Sequence, residues 1–305
     1  MESTIDELSD YLVSLLSQKE GRILIGLTGV PASGKSTLAA QIITCLNAKW
    51  ALLHPPLPSI TNEKEGGIGI VVGLDGWHLP RSELAKMDDP ELAFARRGAH
   101  WTFDAASYIA FIKHLRSPPT NHVNPSPSTS ERKIDIGTSH SIVNETIYAP
   151  TFSHSLKDPH SSTLPIPPST RLIVIEGLYV SLSHPSWIEA SNMLDERWFV
   201  DVEGGEEEVR GRIVKRHLES RVASSRKEAE WRADENDRPN GRFVIENMLK
   251  PTRRITSIPD PLIQYPIPQL LPPPTPPPIS APTPYITSSL TFLIILALNN
   301  NTPPN

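Results

Sequence analysis

The sequence predicts an α/β fold: three layers built around a mainly parallel five-stranded sheet. Three observations carry that prediction. Short, β-branched apolar runs alternate with helical patterns along the chain, as they do in βαβ units. The runs are almost continuously apolar, which fits strands covered on both faces. A glycine-rich stretch, "LTGVPASGKSTLAA" from Leu27 to Ala40, joins the first run directly to a helical pattern.

The elements follow in chain order. The opening "MESTIDELSDYLVSLLSQKEG" reads as an amphipathic helix, with Ile5, Leu8, Leu12, Leu15 and Leu16 as its apolar stripe and Ser3 or Thr4 as its cap. It is acidic and lacks the basic start of a signal peptide and the arginines of a transit peptide. Strands are expected at "RILIGLT" (22–28), "IGIVVGLD" (68–75), "RLIVIEG" (171–177) and "ERWFVDV" (196–202), with "RRITSI" (253–258) closing the sheet. Helices are expected over 35–49, 104–116, 206–221 and 224–236. In the second of these Tyr108, Phe111, Ile112 and Leu115 recur at helical spacing behind Asp104 as cap. Trp198 and Phe199 belong to the core.

Three segments break the alternation. "HPPLPSITNEKEGG" (54–67) reads as a loop, and "SPPTNHVNPSPSTSE" (117–131) as a disordered polar insertion. From Pro261 onward the composition is polyproline-like, with 13 of the chain's 32 prolines, and has no means of building a core. The expected organisation is therefore an N-terminal helix over 1–20, one domain over 21–260 and a disordered tail over 261–305.

Composition narrows the function classes. A net charge of −5 gives no pull toward nucleic acid or an anionic membrane. The one cysteine, Cys45, excludes an internal disulfide and fits a reducing, cytoplasmic setting; within a predicted helix it reads as a buried thiol. "LTFLIILAL" (290–298) is too short for the ~20 residues of a bilayer span.

"GVPASGKS" matches G-x-x-x-x-G-K-[ST], the phosphate-binding loop known as Walker A. Glycines let the backbone curl so that successive N–H groups point at one anion, reinforced by the N-terminus of the next helix. The expected nucleotide contacts are Gly29, Val30, Pro31, Ala32, Ser33, Gly34, Lys35, Ser36 and Thr37. Lys35 would neutralise the β- and γ-phosphates and the Ser36 hydroxyl would ligate Mg²⁺. Ligands of open parallel sheets sit at the carboxyl edge, so Asp75 and Glu176, each ending a strand, should face this loop. A carboxylate there can hold the metal or take the proton of an attacking hydroxyl.

With these residues in place the chain resembles the uridine kinase, phosphoribulokinase and pantothenate kinase branch of P-loop kinases. The nearest likeness is to fungal and bacterial kinase-like proteins of the fructose-transport-system kinase type. The segments "GVPASGKST", "LDGWHLPRSEL", "DDPELAFARRGAHWTFD", "IYAPTFSHSLKDP", "IVIEGLYV", "DERWFVDV", "RIVKRHLESR" and "ENDRPNGRFVIENM" carry it, from Ile23 to about Asp260. The resemblance implies a P-loop nucleoside triphosphate hydrolase fold of the nucleoside and nucleotide kinase type, with a lid helix and a substrate-closing hairpin. It implies Asp75 as base toward the acceptor hydroxyl, Trp77 and His78 in the acceptor pocket, and Glu176 with Ser36 and Asp75 at the metal. It brings Arg97, with Arg96 and His100, to the acceptor, and makes Tyr148, Phe152, His154 and Asp158 part of the closing hairpin. Arg212 and Arg216, four apart on the 206–221 helix, would stabilise charge on the transferring group, while Val209 and Ile213 pack on another face.

The expected activity is thus transfer of the γ-phosphoryl of ATP, with Mg²⁺, to a hydroxyl of a nucleoside, a pantothenate-like molecule or a sugar. Arg97 would favour an acceptor carrying a carboxylate or phosphate. The alternatives are an ATPase without a dedicated acceptor, or a nucleotide-binding scaffold whose proline tail docks SH3- or WW-type modules. The expected partners are a small-molecule acceptor and a second copy of the chain as a homodimer, with no nucleic acid and no membrane.

Overall fold

Residues 2–55, 67–117, 145–153 and 155–257 are described by the structure, a computed structural model. Five strands form one parallel sheet in the order β2-β5-β1-β6-β7, where β1 is Ile23–Gly29, β2 Gly69–Gly73, β5 Leu172–Glu176, β6 Glu196–Val202 and β7 Arg253–Ser257. All five lie on the expected runs. The two remaining strands, β3 (Ile147–Ser153) and β4 (Asp158–Ile166), pair antiparallel as the hairpin the resemblance implied.

Alternation along the central strands sorts the core into two halves. Ile23, Ile25 and Leu27 of β1, with Leu172 and Val174 of β5, face helices α1 (Glu2–Gln18) and α2 (Lys35–Leu53). Leu24, Ile173, Ile175 and Phe199 face the other way, onto Trp77, Trp187, Val244 and the Tyr108, Phe111, Ile112 and Leu115 stripe. Every residue of β1 is buried, as a strand with neighbours on both edges and helices on both faces requires.

Helix α1 begins at Glu2, so neither Ser3 nor Thr4 is its cap. Its stripe is as read: Leu8, Leu12 and Leu16 are buried in the same cluster as β1, and Ile5 and Leu15 pack against it. Cys45 sits half-buried on α2. None of the helices among the described residues is long and apolar enough to cross a membrane.

Short helices α3 (Arg81–Leu84) and α4 (Pro90–Ala95) lead into α5 (Ala105–Arg116), whose first turn is capped by Asp104 Oδ1 accepting from the Ser107 amide at 2.9 Å. After β5 come α6 (Ile188–Asn192) and, beyond β6, α7 (Gly205–Glu219). The 224–236 helix extends further than expected. It runs as α8 (Arg226–Arg232), a π-helical turn at Ala233–Asp237, and α9 (Arg238–Asn247). Pro239 falls at the start of α9, where a missing N–H is tolerated. The 118–131 part of the insertion and the tail from Pro261 lie outside the described residues.

The packing yields a test of whether α1 is integral. Leu12 is fully buried, so Leu12→Ala is expected to lower the unfolding free energy by about 2–5 kcal/mol in a denaturant titration. A loss under ~1 kcal/mol would mean that α1 is an appendage.

Candidate active site

The phosphate loop leaves β1 at Gly29 and re-enters structure at Lys35, the first residue of α2. Two residues turn it: Ala32 at φ 58 and Gly34 at φ 88. The second is the N-cap, and that left-handed conformation is one glycine adopts without a side-chain penalty. No side chain caps α2, so the amides of its first turn are left for an incoming anion.

Lys35 is buried, and its Nζ donates to the carbonyls of Gly29 and Val30, each at 2.9 Å. Burial pushes its ammonium down to about 8, helped by the neighbouring Arg216 and opposed by Glu176 and Asp75. Those two carboxylates therefore share the cleft with the lysine. Glu176 ends β5, level with Leu27 of β1 and Gly73 of β2, and its Oε1 accepts from Ser36 Oγ at 3.0 Å. Burial and then Asp75 push the Glu176 carboxyl up, against the pull of Lys35 and the Ser36 hydroxyl.

Asp75 does not end a strand. β2 stops at Gly73, and a one-turn 3₁₀ helix, Leu74–Trp77, carries Asp75 outward, with its side chain 59% exposed. His78 is tied to the same turn by Nδ1 at 2.9 Å from the Asp75 carbonyl oxygen. Its ring packs on Phe103 and Phe152, so His78 and Phe152 are brought together as the sequence suggested. Trp77 corrects the expectation. Its indole is 4% exposed and packs against Tyr108 and Phe111, because the tight turn that presents Asp75 sends the next large side chain into the core.

The hairpin sits directly on this turn. A β-carbon on Gly76 would lie 2.3 Å from the Pro150 carbonyl oxygen, so only glycine lets β3 approach. Arg97 secures the far end of the hairpin. It donates to the carbonyls of Lys157 and Leu79 and, at 3.0 Å, to Asp158 Oδ1, with its guanidinium over the Phe152 ring. Asp158 also accepts from the Arg81 amide at 2.9 Å. Arg97 is thus committed to the hairpin, and its carboxylate partner is Asp158; the inference of an anionic acceptor loses its basis. Arg96 donates to the Glu235 carbonyl, and His100 stacks on Phe243 with centroids 4.4 Å apart. Tyr148 lies exposed on β3, and His154 lies outside the described residues.

On the other side of the loop stands α7. Its Val209 and Ile213 are buried, as the spacing implied, and Val214 is buried with them. Arg212 Nε donates to Glu208 Oε1 at 2.7 Å and Nη1 to Ser257 Oγ at 3.2 Å, while its buried Nη2 has no partner among the described residues. Arg216 is 52% exposed and donates to Asp237 Oδ1 at 3.4 Å. Of the acids in the first turn of α7, Glu206 binds Arg238 and Arg242. Asp237 and Ser257 had no role in the sequence reading, because each acts through a partner on a distant element and leaves no local pattern.

Two outcomes follow. Gly76→Ala must displace the hairpin, and is expected to cost about 1–3 kcal/mol and to speed tryptic cleavage after Lys157. For Lys35, a folded value near 8 against its usual 10.5 means that the unfolded chain binds more protons between those limits. Its contribution to stability therefore rises with pH across that window. A bound polyphosphate restores the charged form, so in calorimetry with inorganic triphosphate at pH 8 the wild type is expected to take up more protons on binding than Lys35→Met does.

Comparison with known proteins agrees with this geometry. No family model matches the chain. A proposed uridine kinase of Schizosaccharomyces pombe, C227.14, is 33% identical over 250 residues, covering 82% of this chain and 88% of that protein. The ATP-dependent kinase-like protein notR' of Aspergillus versicolor is 36% identical over 176 residues, 58% of this chain and 89% of that protein. Among solved structures, a proposed fructose transport system kinase from Silicibacter sp. TM1040 superposes with a TM-score of 0.61 at 23% identity, covering 82% of this chain and 98% of that one, a likeness of fold. The parallel sheet, the uncapped helix behind its glycine loop and the extent of these matches lead to one conclusion: the chain belongs to the uridine kinase-like family of P-loop kinases.

Proposed function

We propose that the chain is an ATP-dependent small-molecule kinase, moving the γ-phosphoryl group of Mg-ATP to a hydroxyl of a nucleoside, pantothenate-like molecule or sugar. The observation that carries this reading is the convergence of Lys35, Ser36, Glu176 and Asp75 at the carboxyl edge of one sheet. The names of the two relatives support it, one as a proposed uridine kinase and one as an ATP-dependent kinase-like protein.

In this reading the free amides at the start of α2 bind the phosphates, and Lys35 exchanges its two carbonyl partners for phosphate oxygens. Asp75, exposed at its turn beside His78, orients the acceptor hydroxyl and takes its proton. The hairpin closes the acceptor side. Arg216, and Arg212 through its unpartnered Nη2, supply positive charge toward the transferring group.

The residues also fit magnesium. Ser36, Glu176 and Asp75 are hard oxygen donors, and Glu176 is an acid whose burial beside a second carboxylate a cation would relieve. No cluster of three or more His, Cys, Asp or Glu able to hold a metal occurs among the described residues, so phosphate oxygens and water would complete the shell. When bound, the metal would neutralise phosphate charge as the group transfers.

The test is ADP release from ATP and magnesium, alone and with uridine, pantothenate or a sugar panel added. Release that depends on one acceptor supports the kinase. Acceptor-independent release would make it an ATPase, and none a scaffold. Lys35→Ala is expected to lower turnover by about 10²–10³ with the fold intact by circular dichroism.

A further inference from the structure

The π-helical turn at Ala233–Asp237 is the least regular piece of the helical layer, and its side chains and carbonyls reach three parts of the cleft. Asp237 ends it, is 14% exposed, and spans two neighbours on α7: its Oδ2 lies 3.0 Å from His217 Nε2 and its Oδ1 accepts from Arg216 at 3.4 Å. Glu235 offers its carbonyl to Arg96, and Asn236 donates to the Arg97 carbonyl at 3.2 Å. The turn also borders the phosphate loop, since Asp237 and Gly241 line one groove with Val30 and Pro31.

We infer that Asp237 is a positioning residue for Arg216, holding that guanidinium at the edge of the phosphate-loop cleft. The physical grounds are geometric. Arg216 is half exposed on a long flexible stem, and an unrestrained arginine would spread over many rotamers. Its carboxylate partner is fixed by the buried His217 and by a helix running against the phosphate loop. An extra residue per turn, as in a π-helix, re-aims side chains relative to a regular helix. Here Asp234 binds Arg210 of α7 as well as Arg238, and Asp237 binds Arg216 and His217 of the same helix. Arg216 already acts on Lys35 electrostatically, so its charge is within reach of whatever the lysine binds. The inference rests on the kinase reading above.

A double-mutant cycle tests it. Turnover of ATP with magnesium and whichever of uridine, pantothenate or the sugar panel supports it, and in parallel with magnesium and water alone, is measured for wild type, Asp237→Asn, Arg216→Ala and the double variant. Each single change is expected to lower kcat about tenfold or more with KM for ATP nearly unchanged, and the double variant to be no slower than Arg216→Ala. Asp237→Glu, which keeps the charge facing His217 but displaces it by one methylene, goes through the same cycle. It is expected to slow the wild-type background and leave the Arg216→Ala background unaffected. Losses that multiply in the double variant would overturn the inference, as would wild-type kcat in both Asp237 variants. If instead the wild type turns over no ATP with uridine, pantothenate, the sugar panel or water, the kinase reading itself fails, a result distinct from either of those.

Discussion

One buried ammonium organises the cleft. Lys35 has lost its water, is held by two loop carbonyls, and lies in the field of two carboxylates and one arginine. A positive charge in that position is costly unless anions surround it, so the ends of β1, β5 and the Asp75 turn must arrive at the same place. The parallel sheet is the device that guarantees this. Parallel strands in register put Leu27, Gly73 and Glu176 level with one another, and every loop leaving those ends starts from a common edge.

From that edge the remaining pieces are arranged by contact. The hairpin rests on Gly76 and is fastened by Arg97 to Asp158, so it is built around the turn that carries Asp75. Helix α7 is attached on the opposite side through its buried Val209, Ile213 and Val214. The π-turn connects the two, since Arg96 and the Arg97 carbonyl bind Glu235 and Asn236 while His217 and Arg216 bind the adjacent Asp237. A shift on either side is then felt by the other through hydrogen bonds to a single stretch of five residues.

Much of this was legible beforehand where chemistry and periodicity coincide. β1 and β5 read as strands because burial on both faces leaves few polar residues to blur the run, and the 105–116 helix because four apolar residues recur on one face above an aspartate cap. The phosphate loop was legible because its spacing answers to backbone geometry. Legibility failed where a residue's meaning depends on something remote. Trp77 sits one turn from Asp75, and nothing local says that the ring turns inward. Arg97 looked like a substrate contact until Asp158, sixty-one positions on, proved to be its partner. The helix past Asn236 was hidden by Pro239, which ordinarily signals an end and here begins a new segment after the π-turn.

The strand order has a consequence for how the chain is made. β1 emerges early, yet its two neighbours are β5 and β6, and Ile23 hydrogen-bonds the Arg171 carbonyl nearly 150 residues later. Until Val202 has left the ribosome the glycine loop has no sheet to hang from, and the apolar faces of β1, α1 and α2 must wait without their cover. Such delayed pairing makes folding slow and leaves a sticky intermediate during synthesis, so demand on chaperones should fall mainly on nascent chains shorter than about 200 residues.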